Sequence, residues 1–144
     1  MAARTANALW EGALREGRGQ MLLGSGAFEG AFTFKTRFEE GEGGTNPEEL
    51  VAGALAGCFS MQLAGVLGEG GNEPESIQTT ADVSMRNTGD GPTIARIALR
   101  TTGKVPGIDQ AAFQEAADTA KRICPVSRAV AGVEEITVDA TLES

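Results

Sequence analysis

The sequence predicts a single α+β domain, residues 1–144, with antiparallel sheets packed around a buried central helix. Three observations point there. Two pairs of β-forming runs, at 5–25 and 77–102, are each joined by a glycine-bearing turn, which reads as a hairpin. A long run of small and apolar residues from 47 to 67 opens on a strong helix start. Finally, the helices do not alternate regularly with single strands, which argues against a parallel α/β sheet. A chain of 144 residues is about one domain at the usual ~100–200 residues each.

Residues 5–14 and 20–25 read as the first two strands, around a turn at 15–19 where Gly17 and Gly19 permit positive φ. Residues 31–38 are rich in Phe and Thr and read as a third strand, with Arg37 near its end. Gly41, Gly43 and Gly44 break that pattern. Asn46 can then cap a helix, Pro47 suits its first position, and Glu49 stands three residues after the cap, where a carboxylate can return a hydrogen bond.

The helix from 47 to 67 contains Ala52, Gly53, Ala54, Ala56, Gly57, Ala64 and Gly65. Each interior glycine costs roughly 1 kcal/mol relative to alanine, so close packing by another element is expected to compensate. Small or apolar residues occupy nearly the whole circumference, which predicts burial. Strands follow at 77–85 and 94–102 around the turn at 87–91. A helix over 108–121 carries Phe113, Ala116, Ala117 and Ala120 at helical spacing, a short helix covers 125–130, and a closing strand alternates apolar and polar residues over 136–142.

Composition narrows the function classes. The net charge of −8 opposes binding to nucleic acid or an anionic membrane surface unless a local basic patch reverses the field. Residues 1–20 mix Arg4, Arg15 and Arg18 with Glu11 and Glu16 and lack a continuous apolar stretch, so they do not read as a secretory signal. No segment is expected to reach the ~18 apolar residues of a membrane span, and a cytoplasmic protein is expected. There is no histidine, which excludes a histidine-dependent triad and makes a usual tetrahedral zinc site unfavourable. No metal or cofactor is expected.

Two cysteines remain, Cys58 and Cys124. In a reducing compartment they are redox-active, metal-binding or simply buried rather than a permanent bridge. Cys58 lies inside the long helix with Val51, Leu55 and Gln62 on its side, where the plain reading is a small core residue. Cys124 precedes Pro125 and so stands at a helix cap, where unpaired amides favour a thiolate; reactive and structural readings are both open. Glu48 beside Glu49 reads plainly as compensation of the helix dipole, and Arg37 as a surface arginine.

Taken together, Thr36-Arg37-Phe38, residues 45–50 (TNPEEL), residues 57–61 (GCFSM) and Cys124-Pro125-Val126-Ser127 closely resemble the osmotically inducible protein C and organic hydroperoxide resistance family (OsmC/Ohr). Trp10-Glu11-Gly12, residues 80–84 and residues 105–109 extend the resemblance over almost the whole chain. Val126 in the Cys-Pro-Val-Ser motif is similar to the OsmC branch, since the resistance branch often carries Tyr there.

The resemblance implies an intertwined homodimer and a thiol-dependent peroxidase acting on organic hydroperoxides in stress defence. Cys58 would be the peroxidatic nucleophile and Cys124 the resolving thiol. Arg37 would hold the thiolate and polarise the peroxide, with Glu48 orienting Arg37. A dithiol reductant, such as a lipoyl-type one, would recycle the Cys58–Cys124 disulfide. These residue types suit the chemistry: burial raises a thiol's pKa, and a guanidinium is a cation that stays charged and offers a rigid donor fork. Glu48 and Cys58 are ten residues apart, about 15 Å on one unbroken helix. The expectation is therefore that Glu48 serves Cys58 of a partner subunit through antiparallel packing of the glycine-rich helices. Leu50, Leu55, Phe59 and Met61 are expected to line an apolar substrate pocket.

Overall fold

The computed structural model describes residues 2–41 and 43–144. The elements run β1 (Ala6–Glu11), β2 (Arg18–Leu23), β3 (Glu29–Phe32), α1 (Phe34–Phe38), α2 (Pro47–Glu69), β4 (Ser76–Thr88), β5 (Gly91–Lys104), α3 (Gln110–Ile123), α4 (Pro125–Ala129) and β6 (Glu135–Leu142). The chain divides into two compact units, Met1–Leu50 and Val51–Ser144.

In the first unit, β1, β2 and β3 form an antiparallel sheet. Its register places Ala6, Ala8, Trp10, Gly19, Met21, Leu23, Gly30 and Phe32 on one face, none of them charged. Trp10 and Phe32 pack at 5.4 Å between ring centroids over Gly19, where a Cβ would meet the Phe32 ring at 2.4 Å. The expected third strand over 31–38 is corrected: it stops at Phe32 and α1 takes over. The cause is a capping box, in which Thr36 N–H donates to Thr33 Oγ1 at 3.2 Å and Thr33 N–H to Thr36 Oγ1 at 2.9 Å. This local pair overrides the β preference of the aromatic and Thr residues around it.

The second unit contains the hydrophobic core. The sheet order is β4-β5-β6, with β4 antiparallel to β5 but β6 parallel to it. The closing strand is thus parallel rather than part of a purely antiparallel sheet, because α3 and α4 carry the chain back along the sheet before it re-enters. Ile97, Leu99, Thr101 and Gly103 of β5 point inward, in register with Val83, Ala81, Thr79 and Ile77 of β4 and with Ile136, Val138, Ala140 and Leu142 of β6. Phe113, Ala117 and Ala120 bury one face of α3 against them. Gly103 makes room, since a Cβ there would lie 2.4 Å from the Phe113 ring. The open edge of β6 is covered by two glutamines: Gln110 Nε2 donates to Ala140 O at 2.7 Å, and Gln114 Oε1 accepts from Ala140 N–H at 3.0 Å.

Helix α2 buries a single row, Leu55, Phe59, Leu63 and Leu67, at i+4 spacing. The expectation of a helix buried all round is corrected. Gly53, Ala54, Gly57, Met61 and Gly65 form an exposed stripe, and a Cβ built at any of the three glycines meets nothing within 4 Å. Nor does the expectation about membrane spans hold: α2 has a mean hydropathy of 1.8 over its most apolar 18 residues, 22% of them buried, and is long and apolar enough to cross a membrane by length and composition. Alanine counts as apolar there without supplying much side chain.

Candidate active site

Asn46 caps α2 as expected, with Oδ1 accepting from Glu49 N–H at 2.8 Å. The Glu49 carboxylate does not return the bond to the cap backbone; it accepts instead from Thr45 Oγ1 at 2.6 Å. Around this start the chain ties α1 down. Thr36 Oγ1 donates to Thr45 O at 2.7 Å, and Asn46 Nδ2 to Thr36 O at 3.1 Å. Thr36 and Thr45 stand in the family-like motifs with no role of their own; the signal for their tying role is three Thr residues (33, 36, 45) bracketing a glycine-rich turn.

Arg37 follows Thr36 directly, so these bonds fix where its side chain starts. Its Nη2 donates to Glu48 Oε1 at 2.7 Å, and Nε donates to Oε1 at 3.1 Å and Oε2 at 3.2 Å. The Glu48 side chain is 10% exposed and that of Arg37 40%. A buried carboxylate thus anchors a guanidinium whose remaining surface is open, an arrangement in which charge-assisted bonds hold the fork in one orientation.

Cys58 and Cys124 meet in the second unit, with the two sulfurs 3.0 Å apart and both thiols free. Cys58 comes from the fourth turn of α2 and is half-buried, whereas Cys124 is fully buried where α3 ends and α4 begins. The helix boundary is set by Pro125, which occupies the first turn of α4 and leaves Cys124 as its N-cap. Burial pushes the Cys58 thiol above its ordinary 9.0, and the hydrogen bond with Cys124 adds to the rise. Burial also opposes ionisation of Cys124, but the hydrogen bond with Cys58 and the Ser127 and Val126 amides, together with the nearby Ser127 hydroxyl, outweigh it, so this thiol lies below 9.0.

The structure brings Arg37 to Glu48 and Cys58 to Cys124, each pair inside its own unit. The expected apolar pocket is corrected: Leu55 and Phe59 are fully buried core residues, while Met61 is 79% exposed on the opposite side of α2. The i+4 row that makes the core consumes those two side chains. Among the described residues no cluster of three or more Cys, Asp or Glu side chains could hold a metal.

The family model for OsmC-like protein matches residues 39–139. The chain is 46% identical to peroxiredoxin OsmC of Escherichia coli K12 over 136 residues, covering 94% of this chain and 93% of the relative. Among solved structures it is similar to the organic hydroperoxide resistance protein OhrB of Bacillus subtilis, with a TM-score of 0.73, 26% identity, and 96% and 98% of the two chains covered. The fold also matches an organic hydroperoxide resistance protein OsmC from Legionella pneumophila, with a TM-score of 0.73, 24% identity and 100% of both chains covered. With this likeness along its length, the chain belongs to the OsmC family.

Proposed function

We propose that this protein is a two-cysteine thiol peroxidase that reduces organic hydroperoxides to alcohols. The observation that carries the reading is the 3.0 Å approach of Cys58 and Cys124, about 1 Å longer than a disulfide bond. The name of the E. coli relative, peroxiredoxin OsmC, supports it, as does the hydroperoxide resistance protein from B. subtilis.

In this reading the Cys58 thiolate attacks the distal peroxide oxygen and the O–O bond breaks. The sulfur is oxidised to sulfenate, and the alkoxide leaves as alcohol after taking a proton. Cys124 then attacks the Cys58 sulfur, the S–S bond forms and hydroxide departs as water. An external dithiol returns two electrons by exchange, becoming a disulfide itself. Because burial holds Cys58 above the ordinary thiol range, the first step needs a cation beside it. Arg37, oriented by Glu48, is the group suited to that task.

We infer further that the cation reaches Cys58 across a homodimer. Helix α2 is continuous through Glu48 and Cys58, which keeps them about 15 Å apart along its axis. The exposed stripe Gly53–Gly57–Met61–Gly65 would let a second α2 approach closely, and the uncharged face of the β1–β3 sheet would find cover in the same assembly. Met61 then offers an apolar surface for an alkyl or aryl peroxide.

The test is turnover of cumene hydroperoxide with a dithiol reductant. Cys58→Ser abolishes turnover, whereas Cys124→Ser consumes about one equivalent and stalls. A native protein with no peroxide-dependent turnover under any dithiol would overturn the reading in favour of a binding protein with incidental cysteines.

A further inference from the structure

Among the described residues, Ser127 Oγ is the buried side-chain oxygen that no hydrogen bond satisfies, in a residue 6% exposed. Buried hydroxyls are rarely left this way, because an unmade bond costs more than a made one gains. Its position explains what the hydroxyl is for. Ser127 is the third residue of α4 and Cys124 is its N-cap. Those two positions face each other across the first turn, and their side chains exchange hydrogen bonds with the cap region when they are Ser, Thr or Glu. Here the cap side chain is a thiol, a weak acceptor that makes no cap hydrogen bond as it stands. A thiolate is a far stronger acceptor.

We propose that Ser127 is a positioning residue for the resolving cysteine: its hydroxyl is held without another partner so that it donates to the Cys124 sulfur when that sulfur carries negative charge. This rests on the peroxidase reading above and deepens it. Charge appears on Cys124 twice in the cycle. It is the nucleophile that attacks the Cys58 sulfenate, forming the S–S bond as hydroxide leaves. It is also the leaving thiolate when the reductant's thiolate attacks the Cys58 sulfur and the S–S bond breaks; the electron pair then stays on Cys124. A donor fixed beside this sulfur favours both steps, since the thiolate fraction governs attack and a lower thiol pKa speeds departure. The hydroxyl contribution to Cys124 already acts in that direction.

The titratable neighbour is Cys58 from α2, at 3.0 Å from Cys124. Lys121 and Arg122 of α3 and Arg128 of α4 border the same cavity as Ser127, to which β6 contributes Ile136. A change at residue 127 leaves these cations in place.

The experiment is a thiolate titration at 240 nm in Cys58→Ser protein, where Cys124 is the remaining thiol and the absence of tyrosine removes the overlapping phenolate. Ser127→Ala is expected to move the Cys124 midpoint upward, and Ser127→Thr to restore it. In the two-cysteine protein, Ser127→Ala is expected to slow disulfide formation after one equivalent of peroxide by about tenfold, with the peroxide step itself unchanged. An unmoved midpoint in the alanine variant overturns the proposal. So does an equal disturbance by alanine and threonine, which would mark Ser127 as a packing residue. A midpoint that shifts in a protein without peroxide turnover would leave the Ser127 assignment standing and sink the peroxidase reading instead.

Discussion

Glu48 is almost wholly buried, yet Arg37, eleven residues earlier in the chain, reaches it through two nitrogens, Nη2 at 2.7 Å and Nε at 3.1 Å. The carboxylate therefore sets the plane of the guanidinium rather than merely neutralising it. Arg37→Lys keeps the charge but cannot reproduce the two-nitrogen fork. It is expected to lower kcat/KM for cumene hydroperoxide about a hundredfold, ~2.7 kcal/mol at 1.36 kcal/mol per decade, with Glu48→Gln about tenfold. Unchanged steady-state kinetics in both variants would remove the pair from the site.

Opposite pKa shifts in the two thiols predict opposite pH dependences of stability. The Cys124 thiol is lowered in the folded chain, so the unfolded chain binds more protons between the folded pKa and 9.0; stability rises with pH in that window and is lost as pH falls through it. Cys58 is raised, so the folded chain holds its proton longer and stability falls as pH climbs from 9.0 through the folded pKa. Urea unfolding of reduced protein between pH 7 and 10.5 should show the two single serine variants bending in opposite directions. In Cys124→Ser, burial of Cys58 persists and stability declines above 9; in Cys58→Ser the serine hydroxyl keeps a donor beside Cys124, with the Ser127 and Val126 amides, and stability rises toward 9. Parallel curves would contradict the opposite shifts of the two thiols.

The glycine stripe on α2 gives a test of assembly. An exposed helical glycine gains roughly 1 kcal/mol on replacement by alanine, and a Cβ at Gly57 meets nothing within the chain. Gly57→Leu, by contrast, is expected to block close helix pairing and shift the sedimenting species from dimer to monomer. If the leucine variant sediments as the native protein does, the helices do not pair through this face.

Gly103 serves packing alone. A Cβ there falls 2.4 Å from the Phe113 ring, so Gly103→Ala should cost about 1–3 kcal/mol in a urea melt. Combining it with Phe113→Leu should recover part of the loss, a non-additive result for residues in direct contact.

Much of this was legible beforehand for definite reasons. The α2 start could be read from Asn46-Pro47 because capping is local, and the β4–β5 hairpin from its turn residues, although pairing extends the strands to Thr88 and Gly91. Cys124 at a helix cap followed from Pro125. What could not be read depended on partners distant in sequence. The β-forming run at 31–38 yields to the Thr33–Thr36 capping box and to bonds from Thr45 and Asn46. The direction of β6 depends on α3 crossing the sheet, and the buried face of α2 is chosen by four large side chains among many small ones. Arg37 and Glu48 were found by resemblance, since nothing in their composition distinguishes an anchored pair from two surface charges.

The parallel entry of β6 has a consequence for how the sulfurs are delivered. A parallel partner for β5 requires a return path the length of the sheet, and Cys124 stands on that path, between α3 and α4. Gln110 and Gln114 fasten α3 to β6, so the strand in turn anchors the helices that carry the cysteine. Removing 135–142 would therefore leave α3, and with it the Cys124 side of the sulfur pair, without that anchor.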